Sequence, residues 1–423
     1  MTQTRLNIHH VARIEGHGNV NIEVQDGVLT DVEMNITEPA RMFEQMVRGR
    51  SCTEVSYIAS RICGICSPNH AITSLLCLED AMGIEVSERT SKLRSLLIRG
   101  SYLQNHATHL YVLAAPDYVG LQSAFPLATA APDVLSRALE IKRLGNELCN
   151  AVGGRSVHPN TCVIGGFTAE PDPKVLLALA DRLQAIADDC IATGDLFGHF
   201  EVPDFKSQGD LLCLVEDDDY AVISGQTRAL LSAWTRPVGE YRDFIIERSR
   251  PYSNAKFSTL PNGRTFMTGA IARVNQSWGK LSPAARIVAA KAGLRPVWLN
   301  SFKNNLSQAI ELVDCVERCA QLCREIAADT GSSAPAPFEF KSGHGVAATE
   351  APRGTVYYEI DVDDKGRVEY ANILTPTAQS LANLENDLRL FVPRIVDRDP
   401  DTFKMLVEKL VRAYDPCLSC AVH

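Results

Sequence analysis

Two pairs of cysteines, Cys63-Gly64-Ile65-Cys66 and Cys417-Leu418-Ser419-Cys420, stand at opposite extremities of a 423-residue chain. Two residues separate the thiols of each pair, a spacing at which both sulfurs reach one soft metal ion. His70 follows the first pair and His423 ends the chain behind the second, while Asp415-Pro416 supplies a turn just before Cys417. One such pair is a weak signal, and two are a much stronger one. Zinc ribbons draw their pairs from loops of about 12–20 residues; here the loop is most of the chain. Closing it through a metal alone costs on the order of 5 kcal/mol in chain entropy. The fold must therefore join the ends first, which favours a buried reactive centre over the competing reading, a structural zinc staple. Four thiolates can also bridge, two as terminal ligands on one metal and two shared with a second, an arrangement suited to redox metals of the nickel and iron type.

Other residues admit a chemical and a plainer reading. Glu15, in Arg13-Ile14-Glu15-Gly16-His17, reads by itself as a surface carboxylate. Glu44 sits at helical spacing from Arg41 and Arg48, so an ordinary ion pair is the default. His106 and His109 lie one turn apart and read as buried hydrogen-bonding groups. Cys315, Cys319 and Cys323 fall on one helical face; small core residues are preferred there to a metal stripe. The glycines of 153–166 do not form a phosphate loop, since no Gly-Lys-Ser/Thr and no G-x-G-x-x-G is present.

The elements that must position these groups are mostly helical. Helices are expected at 40–60, 70–82, from Ser87 to about Ala114, and at 133–151, 174–196, 302–329, 378–390 and 400–413. Hairpins are expected at 17–37, turning at Gln25-Asp26-Gly27, and from Thr355 to Leu374 around Asp363-Asp364-Lys365-Gly366. The segment 200–265 reads as irregular, with a solvated acidic run at 216–219. The fold class is thus mainly α, a long-helix bundle with small β-hairpin regions near both ends. One domain, 1–423, is expected, made of the first hairpin and cysteine pair (1–70), a helical core (71–330) and the second hairpin, helices and cysteine pair (331–423). The formal net charge of −9 argues against a nucleic-acid or anionic-membrane partner. No apolar run is long enough for a membrane span. Thirteen cysteines in a long chain suit reduced thiols and a reducing compartment.

The paired motifs Arg61-Ile62-Cys63-Gly64-Ile65-Cys66 with His70, and Asp415-Pro416-Cys417-Leu418-Ser419-Cys420 with His423, resemble those of the large, catalytic subunit of nickel–iron hydrogenases. Arg13-Ile14-Glu15-Gly16-His17 and Glu350-Ala351-Pro352-Arg353-Gly354 resemble two further motifs of that family. The short length and the Leu-Ser-Cys-Ala-Val-His ending look most like its cytoplasmic, bidirectional branch.

The resemblance implies a site. Cys63, Cys66, Cys417 and Cys420 would hold nickel, with Cys66 and Cys420 bridging to an iron that carries carbon monoxide and two cyanides. Dihydrogen would split heterolytically between the metals. Glu15, as a buried carboxyl group of raised pKa, would be the first proton acceptor near Cys420. Arg353 would project over the open metal position, held by Asp117 and Asp415. His70 would stand near a bridging sulfur and Thr377 near a cyanide, with Pro352 also among the cofactor-binding residues. Around Thr377 the chain reads Thr375-Pro376-Thr377-Ala378-Gln379, a departure from the family's Trp-Asn continuation. Glu44, His423 and the backbone carbonyl of Ile373 would surround a magnesium or iron ion. Family precursors are clipped after the final histidine, so an end at His423 corresponds to a mature form or to a gene without the extension. The implied partners are an iron–sulfur small subunit, with flavin and iron–sulfur subunits passing electrons to NAD(P). A heterodisulfide-reductase partner and a deazaflavin acceptor are the alternatives, and a non-catalytic zinc-bound scaffold or a metal-free member of a quinone-reducing complex are the competing readings.

Overall fold

The 25-residue helix Asn304–Ala328 runs through the interior, and the helices Glu88–Thr108, Pro173–Ala185 and Ala187–His199 pack around it. Its buried residues include Leu306, Ile310, Val313 and Val316 together with Cys315, Cys319 and Cys323. A helix apolar on several faces is stable only when enclosed. Glu88–Thr108 also packs closely on Pro132–Gly153. The contact depends on Gly145, where a Cβ would come within 2.7 Å of both Gln104 N and Gly100 O. The computed structural model describes residues 3–423; the first two residues of the expected 1–70 segment lie outside the described residues.

At the N-terminal end, Gly18–Gln25 and Val28–Ile36 form the expected hairpin, with Ile22 opposite Val32. Asp26 and Gly27 both adopt positive φ, 49° and 79°, as a two-residue hairpin turn with right-handed twist requires. A third strand, Gln3–Ile8, adds to the outer edge of Gly18–Gln25. Toward the C-terminus, Gly343–Ala351, Gly354–Val362 and Val368–Leu374 form a three-stranded antiparallel sheet, on which the helix Ser67–Met82 lies. Ala351 pairs with Gly354, so Pro352 and Arg353 alone make the turn between the first two strands.

The structure also differs from the sequence reading at 200–265, 40–60 and 174–196. The segment 200–265 holds strands, not irregular chain. Asp210–Val215, Gln226–Ala229 and Trp234–Arg236 join Phe266–Met267 in one sheet, and Ile246–Arg250 pairs with Ser253–Thr259. Asp210–Val215 is buried at all six positions, so it carries no period-two signal. The stretch 40–60 is two short helices, Phe43–Val47 and Cys52–Ala59, the second opened by a Ser51/Glu54 capping box. The stretch 174–196 breaks at Ile186 into two helices. Among the described residues no helix is long and apolar enough to cross a membrane.

Candidate metal centre

Each cysteine pair is presented by a turn at the end of an element. Cys63 follows the short turn Ser60–Ile62, and Cys66 stands at the head of Ser67–Met82, whose second residue is Pro68. The Cys63 sulfur accepts the N–H groups of Ile65 (3.2 Å) and Cys66 (3.5 Å). At the other end the helix Pro400–Ala413 finishes, Asp415 takes a left-handed conformation (φ 49°), and Pro416 delivers Cys417 to the head of the short helix Leu418–Ala421. The two extremities meet. Cys63 Sγ lies 3.4 Å from Cys417 Sγ, Cys66 Sγ 3.5 Å from Cys420 Sγ, and Cys417 Sγ 3.0 Å from Cys420 Sγ. All four are buried and none forms a disulfide.

Joint ionisation of this cluster would need a cation. Thiols donating from Cys417, Cys420 and Cys66 hold the Cys63 thiol well below its ordinary pKa, so one thiolate is stabilised by its neighbours. Burial pushes Cys417 and Cys420 well above theirs. Four thiolates in this volume require positive charge between them.

Arg353 supplies some of it. From its two-residue turn the buried guanidinium donates through Nε to Asp415 Oδ1 (2.9 Å), and Nη1 has no partner among the described residues. A buried guanidinium nitrogen without a partner, within electrostatic reach of Cys417, Cys63 and Cys66, fits an acceptor on an iron ligand, and the sulfur set fits nickel and iron. Asp415 is held in turn by Gln308 Nε2 (2.8 Å) and lies 2.9 Å from His109 Nδ1. Burial alone would raise its pKa, but Arg353 and His109 bring it well below the carboxylate range. His109 also meets Asn305 Oδ1 through Nε2 (3.1 Å), and His106 meets Glu311 (2.8 Å). Both histidines are thus buried hydrogen-bonding groups, as their spacing suggested.

Asp117 is a correction. Its carboxylate does not hold Arg353; it pairs with Arg412 through Nε (2.6 Å) and Nη2 (2.9 Å), and with Arg13. Two guanidiniums already give it three hydrogen bonds. This pairing ties the start of the chain to its last long helix, because Arg412 Nη1 also reaches Ala12 O (2.6 Å) and Arg13 Nη1 reaches Leu113 O (2.5 Å). Removing one partner would strand a buried charge at a cost of about 3–5 kcal/mol.

The clamp delivers Glu15. Its backbone pairs with the Cys417 segment, and Leu418 N donates to Glu15 O (3.0 Å). Gly16 follows at φ 84°, where a Cβ would lie 2.8 Å from Leu418 Cβ. The Glu15 carboxylate accepts Ser419 N (3.2 Å) and the Ser419 hydroxyl, one residue from Cys420. It is half-buried, not enclosed as expected.

The remaining candidates gather around the same sulfurs. His70 Nε2 is 3.7 Å from Cys420 Sγ, and its Nδ1 meets Tyr358 OH at 2.8 Å. Burial lowers the His70 pKa to about 3, so it is neutral. The Thr377 hydroxyl oxygen accepts Cys417 N (2.9 Å), and Thr377 shares a small cavity with Arg353, Pro376, Tyr414 and Pro416. Pro352 presents its carbonyl to Arg273 (3.0 Å).

Glu44 does not take the default pair with Arg41 or Arg48. It accepts Ile373 N (2.8 Å) and lies 3.6 Å from His423 Nε2. Burial raises its pKa, but His423 and the Ile373 N–H outweigh that and leave it lowered. The Ile373 group that meets Glu44 is the N–H, while the resemblance assigns its carbonyl to the ion itself. Ile373 lies on the outer strand of its sheet, and a strand residue turns N–H and C=O to the same side, so its carbonyl faces the same space.

Two residues here carried no sequence signal. Arg41 donates to Ile62 O and Ser419 O, joining the two cysteine segments. Arg412 anchors the clamp. Both act on backbone or on a carboxylate remote in sequence, which no local pattern reports. Cys315, Cys319 and Cys323 are core, with Cys315 Sγ donating to Arg99 O (3.1 Å). Among the described residues, sets of three or more His, Cys, Asp or Glu side chains close enough to share a metal ion occur only at Cys63, Cys417 and Cys420 and at Cys66, His70 and Cys420.

Comparison with known proteins agrees with this geometry. Residues 41–137 match the family described as nickel-dependent hydrogenase. The alpha chain of sulfhydrogenase 1 from Pyrococcus furiosus is 36% identical, over 99% of this chain and 97% of its own. A chain of the F420-non-reducing hydrogenase from Methanothermobacter thermautotrophicus is 30% identical over 99% and 94%. A crystal structure of an NAD+-reducing NiFe hydrogenase in its H2-reduced state superposes with a TM-score of 0.85 at 25% identity, covering 99% of both chains. The chain belongs to the nickel-dependent hydrogenase family. It is a large-subunit chain of a nickel–iron hydrogenase, an oxidoreductase acting on dihydrogen.

Proposed function

We propose that this chain, acting as one catalytic unit, splits dihydrogen reversibly at a centre held by Cys63, Cys66, Cys417 and Cys420. The observation that carries the reading is the convergence of four unbonded, buried sulfurs near a guanidinium whose buried Nη1 has no acceptor among the described residues. When bound there, nickel and an iron bearing carbon monoxide and cyanide supply the polarisation and electron acceptance that dihydrogen cleavage needs. The chain does the rest. Arg353, fixed by Asp415, directs positive charge at the cluster in a site closed to water. Glu15 takes the proton, its carboxylate held one residue from Cys420 by hydrogen bonds from Ser419 and open on one side to pass it outward. The Thr377 hydroxyl, His70 and the Pro352 turn shape the surroundings of the iron ligands. Glu44 and His423, with the Ile373 carbonyl, hold a magnesium or iron ion that pins the tail carrying Cys417 and Cys420.

Electrons leave through an iron–sulfur small subunit; flavin and iron–sulfur subunits of a cytoplasmic heteromultimer then pass them to NAD(P). The likeness to an NAD+-reducing enzyme favours this acceptor; the likeness to an F420-non-reducing enzyme also sets a deazaflavin acceptor lower. The test is infrared spectroscopy with elemental analysis of the purified complex, followed by dihydrogen-dependent reduction of NAD+ and NADP+. Metal-bound carbon monoxide and cyanide bands with nickel and iron are expected. Zinc alone, without those bands, would refute the centre, and failure to reduce either nucleotide would refute the acceptor only.

A further inference from the structure

Arg273 lies in the helix Ala270–Gln276, fully buried and away from the sulfurs. A guanidinium has five N–H donors, and here each has an acceptor. Nε donates to Glu311 Oε1 (2.6 Å) and Nη2 to Glu311 Oε2 (2.8 Å), a bidentate pair. Nη1 donates to Glu350 Oε2 (2.8 Å). The last two donors go to backbone: Nη1 to Ala351 O (2.9 Å) and Nη2 to Pro352 O (3.0 Å). Those are the carbonyls of the two residues immediately before Arg353.

The same short stretch is tied from other sides. Tyr102 OH and Asn69 Nδ2 both donate to Glu350 O at 2.9 Å, and the Tyr102 ring lies 5.0 Å from the Arg273 guanidinium. Glu311 is itself fixed by Tyr220 OH (2.5 Å) and His106 Nε2 (2.8 Å). Arg353 sits in a two-residue turn, and among the described residues its head group has one anchor, Asp415. A turn of that kind can rock about its strands unless its carbonyls are held, and any rocking moves a long side chain at its tip.

We propose that Arg273 is a positioning residue for the hydrogenase reaction: by gripping the carbonyls of Ala351 and Pro352 while Glu311 and Glu350 grip it, it sets where the Arg353 guanidinium stands over the sulfur cluster. The inference rests on the role given to Arg353 above. Lysine cannot replace this fork, because a point charge with three donors cannot serve two carboxylates and two carbonyls in one plane.

A double-mutant cycle in the assembled complex tests this, with turnover expressed per nickel atom. Arg273→Lys keeps the buried charge and gives up the fork. Turnover per nickel is expected to fall about 10- to 100-fold, as for a misplacement of about 1 Å, with KM for dihydrogen unchanged because the lost contact acts in the transition state. In an Arg353→Lys background the same substitution should cost less than about twofold more, since residues acting as one unit are not additive. Glu311→Gln, which keeps one acceptor oxygen and the fold's volume, should show a smaller loss that also vanishes in that background. A role in folding alone would lower nickel loading and leave turnover per nickel at the wild-type value. That result, or equal losses in both backgrounds for either variant, overturns the proposal. Wild-type turnover in Arg353→Lys by itself would overturn the role of Arg353 and this inference with it.

Discussion

The sulfur cluster of Cys63, Cys66, Cys417 and Cys420 and the thiol stripe of Cys315, Cys319 and Cys323 are both buried, and both present sulfurs at spacings a metal could use. Their surroundings differ. At the cluster, backbone N–H groups point at Cys63, a guanidinium stands nearby, and an imidazole lies against Cys420. In the stripe the Cys315 thiol donates to a backbone carbonyl, the nearby Arg99 guanidinium is engaged by Tyr220 O and by Asp314, and burial pushes Cys323 up to about 12. A thiol facing donors and a cation is prepared to become an anion; one facing a carbonyl stays a thiol. Spacing proposes a ligand, and the charge of its neighbours decides.

Substitutions can break that contrast. The largest effect is expected from Cys420→Ser. It should abolish nickel binding and all dihydrogen-dependent activity, read by elemental analysis; a variant that kept nickel and turned over would erase the distinction between the two sets. Next comes Glu15→Gln, which keeps the acceptor for Ser419 N but cannot take up a proton. Nickel content and unfolding midpoint should match the wild type while dihydrogen–deuterium exchange slows about 100-fold; unchanged exchange would remove Glu15 from the proton path. The smallest effect belongs to the stripe. Cys319→Ala should leave nickel and turnover untouched and cost about 1–2 kcal/mol of stability in a denaturant titration, as the loss of a small buried group does. Loss of nickel there would show that the stripe had been misread.

Much of the fold could be read directly. The hairpin at Asp26-Gly27, the helix from Ser87 and the helix 400–413 carry strong local signals, a turn dipeptide, an N-cap serine and a capping aspartate before proline. The sheet strand Asp210–Val215 had none, being buried throughout and paired with strands that follow later in the chain. At the site the four cysteines were legible because two motifs repeat one spacing. Asp117 was assigned the wrong partner: an aspartate after a proline says nothing about which of several arginines will reach it. Glu44 likewise met Ile373 and His423 from across the fold instead of the arginines beside it.

The amino-acid order alone determined which groups could ligate and in what pairs, because two residues of intervening chain leave two thiols little freedom to separate. Only the tertiary structure decided that the two pairs share one space, that Asp415 and not Asp117 holds Arg353, and that Arg273 grips the turn beneath it. Those contacts join residues far apart along the chain. Their geometry is set by the packing of whole helices and sheets, and no local preference of the residues involved contains it.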